Sequence, residues 1–463
     1  MLAFALIFAV SLILFFPSLG YYFFQDDWFV LNWVQTQDFA SFFAFRTDII
    51  YWRPISMPLL FFTAKNLFGI NPLGYNLIAF SIFFVLIFAV YKLFEFLGFN
   101  RKLSLTTAFL YGIWPIHYIS LSWFSTTSYV IGPLFQVLSF IFFIKFTKDK
   151  KNLLYIFSFM LFLFGIASSE FTLMLPAILA AWSFLIKRKY YLKFLLPYII
   201  IDIIYLFARF YIFPIPAEGN YQTFINKQLL NNFVWYIAWA IGFPERFKSL
   251  IFLKIPWQSL KILAQYWIIT IPVLLLLILL IKQILTSFKK SLKFYLFGIT
   301  WFLIGLLPVI TIINHSFPMY LSLSGLGFLY VVATLLKNSS NLIWILFLCL
   351  WSIVSFTNLQ FTRNLHWIRN EQAISRAYMD YVKELAPNPS KNSVFHFKPA
   401  NLEFSKDHQF LLVETEDTLK QSLGDQNAVQ VIYSDPTLKS VYSTHQQTLS
   451  LPKDVTAFEI SPR

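Results

Sequence analysis

Charge is scarce in this chain. Charged residues make up 13% of its 463 positions, about half of the roughly 25% usual in a soluble domain. Most of the chain is therefore not built to present a solvated surface. Cysteine is scarcer: Cys349 stands alone, which excludes an intramolecular disulfide and a cysteine-built metal site. It reads as a small core or lipid-facing residue inside an apolar run. The first apolar run, Met1 to Leu19, lacks a basic leader and an A-x-A cleavage site. It is expected to be a retained first helix rather than a signal peptide.

Apolar residues are abundant, at 58% hydrophobic and 21% aromatic, and they come in unbroken runs such as 271–281 (IPVLLLLILLI) and 152–168. A helix apolar on every face belongs in lipid or inside a bundle, and about 20 such residues cross a bilayer. The runs predict spans near 1–19, 75–98, 103–121, 128–147, 152–168, 171–186, 194–213, 262–281, 294–313, 318–336 and 341–358. The expected fold class is an all-α polytopic membrane protein of about 11 transmembrane helices, residues 1–360. A small α/β domain, residues 361–463, is expected to follow. That tail should open with a helix at about 365–385 and continue with short strands such as 393–397 (SVFHF) and 429–433 (VQVIY).

Residues 359–463 hold 11 Lys and Arg against 12 Asp and Glu, so the net charge of +14 belongs to the apolar part. Topology explains this excess; nucleic acid is not an expected partner. Alternate connections carry Arg101 and Lys102; Lys145, Lys148, Lys150 and Lys151; Lys187, Arg188, Lys189 and Lys193; Lys282, Lys289, Lys290 and Lys293; and Lys337. The positive-inside rule makes these loops cytoplasmic. The N-terminus is then expected inside a cell membrane and the C-terminal domain outside, on the extracytoplasmic face. The opposite face carries two long segments, about 20–74 and 214–261. Aromatic stretches within them, 39–45 (FASFFAF) and 233–243 (FVWYIAWAIGF), are too short to span and suit helices lying in the interface plane.

Polar residues collect at that outer face. Asp26 and Asp27 follow the first span, and neighbouring carboxylates push their pKa values apart, so that one can serve as a base near neutral pH. As a plain alternative, one of them caps a helix. Arg53 lies in YWRPIS (51–56), His117 at the outer end of the third span, and Glu170 in a tight turn between two spans. Asp202 and Arg209 are seven residues apart, two turns on one helix face. His315 and Tyr320 open the tenth span. Each has a structural reading, as a cap, a solvated turn or a backbone contact, but structural accidents would scatter over both faces.

The acidic pair Asp26–Asp27 preceding Trp52-Arg53-Pro54-Ile55 resembles the GT-C membrane glycosyltransferases, in particular the protein O-mannosyltransferases and the transmembrane-and-tetratricopeptide O-mannosyltransferases. Trp114-Pro115-Ile116-His117 is similar to the His-Pro-x-His-x-Glu segment of that group. Ser169-Glu170 is similar to its Lys-Glu turn, and Tyr320 through Phe328 to its late Tyr-Leu-Pro-Ser-x-Gly-Phe segment. The chain departs at Trp114, at Ser169 and near Ile119–Ser120, where no carboxylate stands, and it has no tetratricopeptide repeats. The resemblance implies a polyprenyl-phosphate sugar donor and a protein or glycan acceptor hydroxyl. Asp26, or else Asp27, would be the base, and Arg53 or Arg209 would neutralise the phosphate. His117, Glu170, His315 and Tyr320 would make substrate contacts. The carboxylates have the chemistry to bind Mg²⁺ or Mn²⁺, though no spacing requires it. A transporter or flippase of lipid-linked glycan, or a noncatalytic scaffold with the same fold, are the alternative expectations.

Overall fold

Several helices begin at a side-chain cap: Asn71, Asn100, Ser340, His366 and Thr415 each accept from a backbone N–H of the turn that follows. The computed structural model describes residues 2–46, 49–187, 189–212, 219, 221–251, 256–287, 291–337, 339–399, 415–443 and 456–462. Arg188, Lys289 and Lys290 of the basic loops lie outside the described residues, as does part of the 214–261 segment. The first half carries α1 (Leu2–Phe15), α2 (Asp26–Thr36), α3 (Leu60–Phe68), α4 (Pro72–Phe96), α5 (Arg101–Gly112), α6 (Tyr118–Ser122), α7 (Ser128–Asp149), α8 (Asn152–Ile166), α9 (Leu175–Leu185) and α10 (Leu196–Ile212). Next come α11 (Gln228–Ile241), α12 (Phe247–Leu250), α13 (Pro256–Gln265), α14 (Trp267–Ser287), α15 (Leu292–Leu306), α16 (Leu321–Leu336) and α17 (Asn341–Leu365). The remainder is α18 (Trp367–Leu385), β1 (Val394–Phe397), α19 (Glu416–Ser422), α20 (Asn427–Tyr433), β2 (Lys439–Tyr442) and β3 (Ala457–Ile460). At α4, for example, the Asn71 side chain accepts from the Leu73 N–H and Pro72 takes the first turn, where its missing donor costs nothing.

Among the described residues, seven helices are long and apolar enough to cross a membrane: Leu2–Gly20, Pro72–Phe96, Phe124–Asp149, Lys189–Ile212, Trp267–Thr286, Pro318–Leu336 and Asn341–Leu365. Three more of the expected spans, at 152–168, 171–186 and 294–313, form shorter apolar helices. The expected span 103–121 is not one helix. It breaks after Gly112 into a turn at Pro115–His117 and the short α6. Pro115 has no N–H for the helical ladder and biases Trp114 to an extended conformation.

Helices α15 and α16 approach most closely at glycine. A Cβ on Gly327 would sit 2.4 Å from the Phe302 nitrogen and 2.6 Å from the Gly298 oxygen. Small residues permit this backbone-to-backbone packing, which drives helix association in lipid. Gly327→Ala is therefore expected to lower the thermal midpoint of the detergent-solubilised protein, by about 1–3 kcal/mol of overpacking. Unchanged melting would contradict this crossing.

The tail folds onto the front of the chain. Strands β1, β2 and β3 form a parallel sheet in the order β2-β1-β3, with Phe395 and Phe397 of the central strand fully buried. One hydrophobic cluster joins these to Tyr378 and Val382 of α18, Val429 and Val431 of α20, Trp28, Leu31 and Phe61 of the 20–74 segment, and Tyr75 of α4. The helix expected at 365–385 and the strand expected at 393–397 are present. The strand expected at 429–433 is a correction: those residues form α20. Their β-branched composition loses to tertiary packing. The Asn32 amide of α2 donates to Asn427 and Gln430, and the Gln430 amide donates to the Leu438 carbonyl. Ser434 then ends the helix in a left-handed conformation.

Candidate active site

The segment following α1 runs extended to Gln25, which adopts φ +49°, a conformation unusual for a residue with a side chain. The C-terminal elements hold it there. The Gln25 N–H donates to the Ser422 carbonyl, its amide donates to Glu371, the Tyr22 N–H donates to Gln372, and the Trp28 indole donates to Ser375. A Cβ on Gly424 would lie 2.9 Å from the Gln25 oxygen, so the turn after α19 closes directly on this backbone. Clamped in this way, α2 begins at Asp26, and its first turn points the two aspartates apart.

Asp27 turns inward. Its Oδ1 accepts from the Ser125 N–H at 2.8 Å and from the Ser125 hydroxyl at 2.6 Å. Burial lifts its pKa to about 7; the Ser125 hydrogen bonds oppose the rise and neighbouring Asp26 adds to it. Because a carboxyl is near 3.9 in an unfolded chain, the folded protein holds this proton more tightly. Stability should then fall as pH rises from about 4 towards 7. Asp27→Asn, which keeps an acceptor for Ser125, is expected to flatten this dependence in thermal melts at pH 5 and pH 8. An unchanged pH dependence in D27N would contradict a buried, proton-holding Asp27.

Asp26 faces a cavity of about 200 Å³. Its side chain is solvent-accessible through the cavity, and crowding by the protein walls around it raises its pKa to about 6 against the pull of Arg53. Arg53, Glu170, Arg209, His315 and Tyr320 line the same cavity, with Tyr51, Tyr129, Tyr205 and Tyr221. Six of the nine residues singled out in the sequence thus meet in one space, from five separate segments of the chain; Asp27, His117 and Asp202 do not line it.

Arg53 and Glu170 form its polar floor. Arg53 donates through Nε to Glu170 Oε2 at 2.7 Å and through Nη2 to Oε1 at 2.5 Å, the two-pronged geometry that arginine offers a carboxylate. Its other donors reach the Ser128 hydroxyl at 3.1 Å and the Tyr129 hydroxyl at 3.0 Å, and the guanidinium lies over the Tyr51 ring at 4.6 Å. Backbone pairing makes this meeting possible. The Ile55 N–H donates to the Ala167 carbonyl at 3.0 Å, and the Ser56 hydroxyl to the Ser168 carbonyl at 2.5 Å, tying the two loops together. A π-helical turn at Ile55–Leu59, containing Pro58, lets the chain leave this junction. Arg209, from α10, completes the cationic side chains on the cavity wall. His315 packs on the Tyr221 ring at 4.3 Å; burial, with Arg53 in support, lowers its pKa to about 4, so it is neutral at pH 7.

His117 lies elsewhere. It is fully buried between the Tyr111 ring, at 4.5 Å, and the Phe83 ring, at 4.8 Å, and does not line the cavity. The break at Pro115 turns it into the bundle. Among the described residues no three His, Cys, Asp or Glu side chains converge as a metal-binding group.

Glu371 escaped the sequence reading. It is buried 6% exposed, its pKa is raised to about 7 by burial, and it accepts from Gln25. A lone glutamate on an amphipathic helix reads as solvated, and nothing local marks it otherwise. A second, larger cavity of about 550 Å³ also went unseen. Glu245, Lys248, Asn314, Ser316, His366 and Trp367 line it, and His366 Nε2 lies 3.2 Å from Glu245 Oε2. The two cavities share a wall: Ile312 and His315 face the first, while Ile313, Asn314, Ser316 and Phe317 face the second. Trp123 of the first meets Trp367 of the second edge-on at 5.6 Å.

No model of a known protein family matches the chain, and a search of curated proteins finds no match.

Proposed function

We propose that the protein is a membrane glycosyltransferase that moves a sugar from a polyprenyl-phosphate donor to an acceptor hydroxyl on the extracytoplasmic face. The supporting observation is the juxtaposition of Asp26, a crowded carboxylate with a pKa near 6, with Arg209 and the Arg53–Glu170 pair in one cavity. Asp26 takes the proton from the acceptor hydroxyl. The acceptor oxygen bonds to the anomeric carbon as the bond from that carbon to the phosphate oxygen breaks, and the polyprenyl phosphate leaves with the electron pair. Arg209 neutralises that anion. Arg53, held by Glu170, supports the phosphate through its field and holds the cavity wall. The tyrosines pack against the sugar.

In this reading about eleven apolar helices cross the cell membrane, with the N-terminus cytoplasmic and the C-terminal domain outside. The tail's role is positional: its contacts with Gln25 and Trp28 aim Asp26. The second cavity, sharing a wall with the first and lined by polar and aromatic side chains, suits the acceptor, whether protein or glycan.

The test is a transfer assay with protein in lipid nanodiscs supplied with polyprenyl-phosphate sugars, read as transfer and as donor hydrolysis. The rate should rise with pH through about 6 as Asp26 loses its proton, and this limb should vanish in Asp26→Asn. Absence of both transfer and hydrolysis across the donors would refute the proposal.

A further inference from the structure

A third cavity, of about 570 Å³, shares no lining residue with the acidic site. It is a groove between α4 and α7, lined by Val85, Phe88, Phe96, Leu138, Ile141 and Phe142, and basic at one end, where Lys92, Lys145 and Lys148 stand. Val85 and Phe88 are 52% and 44% exposed, so the apolar stretch is open from outside the bundle.

The cations at its end are unbalanced. Lys92 pairs with Glu95 at 2.9 Å, which uses the one carboxylate lining the groove. Lys145 and Lys148 have no carboxylate within ion-pair distance among the described residues. Both ammonium groups converge on one ring, standing 5.6 Å and 5.4 Å from the centroid of Phe96. Like charges three positions apart on a helix repel, and drawing both over one ring at the edge of an apolar groove calls for an anion between them. That ligand must also be apolar over most of its length. A free phosphate satisfies the lysines and leaves the groove empty, whereas a zwitterionic lipid fills the groove but brings its own ammonium beside the lysines, so that only a net anionic lipid balances them.

We infer that this groove is a binding site for one anionic phospholipid, its phosphate held by Lys145 and Lys148 and an acyl chain lying along Phe88, Ile141 and Phe142. Basic pockets between membrane helices on the cytoplasmic side suit such headgroups. The inference uses the membrane placement of α4 and α7 and is independent of the transferase reading.

Native mass spectrometry of the full-length detergent-solubilised protein, titrated with phosphatidylglycerol or phosphatidylcholine, tests it. The protein should retain one phosphatidylglycerol in preference to phosphatidylcholine. The double variant K145Q/K148Q should weaken that binding by about 30-fold, from the attraction typical of two basic residues at a membrane surface. V85W, which fills the mouth and leaves every charge in place, should weaken it as well. The control K282Q/K293Q removes two exposed lysines elsewhere and should change little. Equal losses in the two double variants would reduce the effect to bulk charge and overturn the site. So would equal retention of the two lipids, or full retention in K145Q/K148Q. If that variant fails to fold, V85W decides: unchanged binding overturns the proposal.

Discussion

Replacing Asp26 with asparagine is expected to lower sugar transfer by about 10²–10⁴-fold, the usual contribution of a positioned general base, in protein that remains folded. The substitution keeps shape and removes only the capacity to accept a proton as an anion. Asp26 is accessible from the cavity and makes no side-chain hydrogen bond among the described residues, so no partner is orphaned. Crowding by the cavity walls disfavours its charged form and raises its pKa to about 6, though the side chain stays solvent-accessible. At pH 8 the variant should melt at the same temperature as the wild type or higher, because the asparagine removes a disfavoured charge. A loss of activity accompanied by a large drop in melting temperature would make Asp26 structural. Retained activity would remove it from the chemistry. The contrast with Asp27→Asn sharpens the test, because Asp27 is spoken for by Ser125 and does not line the cavity.

Arg53→Ala should have a large effect on stability. It leaves the Glu170 carboxylate without its two-pronged partner and strips donors from Ser128 and Tyr129. Breaking one side of a fully buried ion pair costs about 3–5 kcal/mol, mostly from the charge left behind; the Glu170 side chain is 30% exposed, which places the expected cost at or below about 3 kcal/mol. The expected outcome is poor recovery of folded protein and loss of transfer together. Arg53→Lys should not restore it, because an ammonium cannot reproduce the fork. Removing both partners, in R53M/E170L, should recover part of the stability, since no charge is stranded. Thermal melts of the four proteins read this directly; if R53A melts like the wild type, the pair does not hold the two loops together.

The sequence carried the site further than the fold of the tail. Arg53, Glu170 and Arg209 could be found because charged residues at the ends of apolar helices are rare and expensive, so their clustering on one face carries information. What was not legible was direction. Nothing in Asp26-Asp27 tells which carboxylate turns to Ser125, since that follows from where the turn at 124–127 packs against α2. His117 looked like a site residue for the same reason as Glu170, its place at the end of an apolar run. Pro115 breaks the helix just before it, and the break rotates the imidazole into the core. Glu371 was invisible because its partner, Gln25, is 346 positions away. The strand expected at 429–433 failed because β-branched residues follow the surface they pack on, and here that surface is α2.

The account stands on Asp26 and Arg209 flanking a lipid phosphate. Electron cryo-microscopy of the protein in nanodiscs with bound polyprenyl phosphate measures this most directly. Phosphate density is expected in the cavity beside Arg209, with the Asp26 carboxylate facing the position of the anomeric carbon. Density for the phosphate more than about 10 Å from Asp26, a full helix diameter, would contradict it.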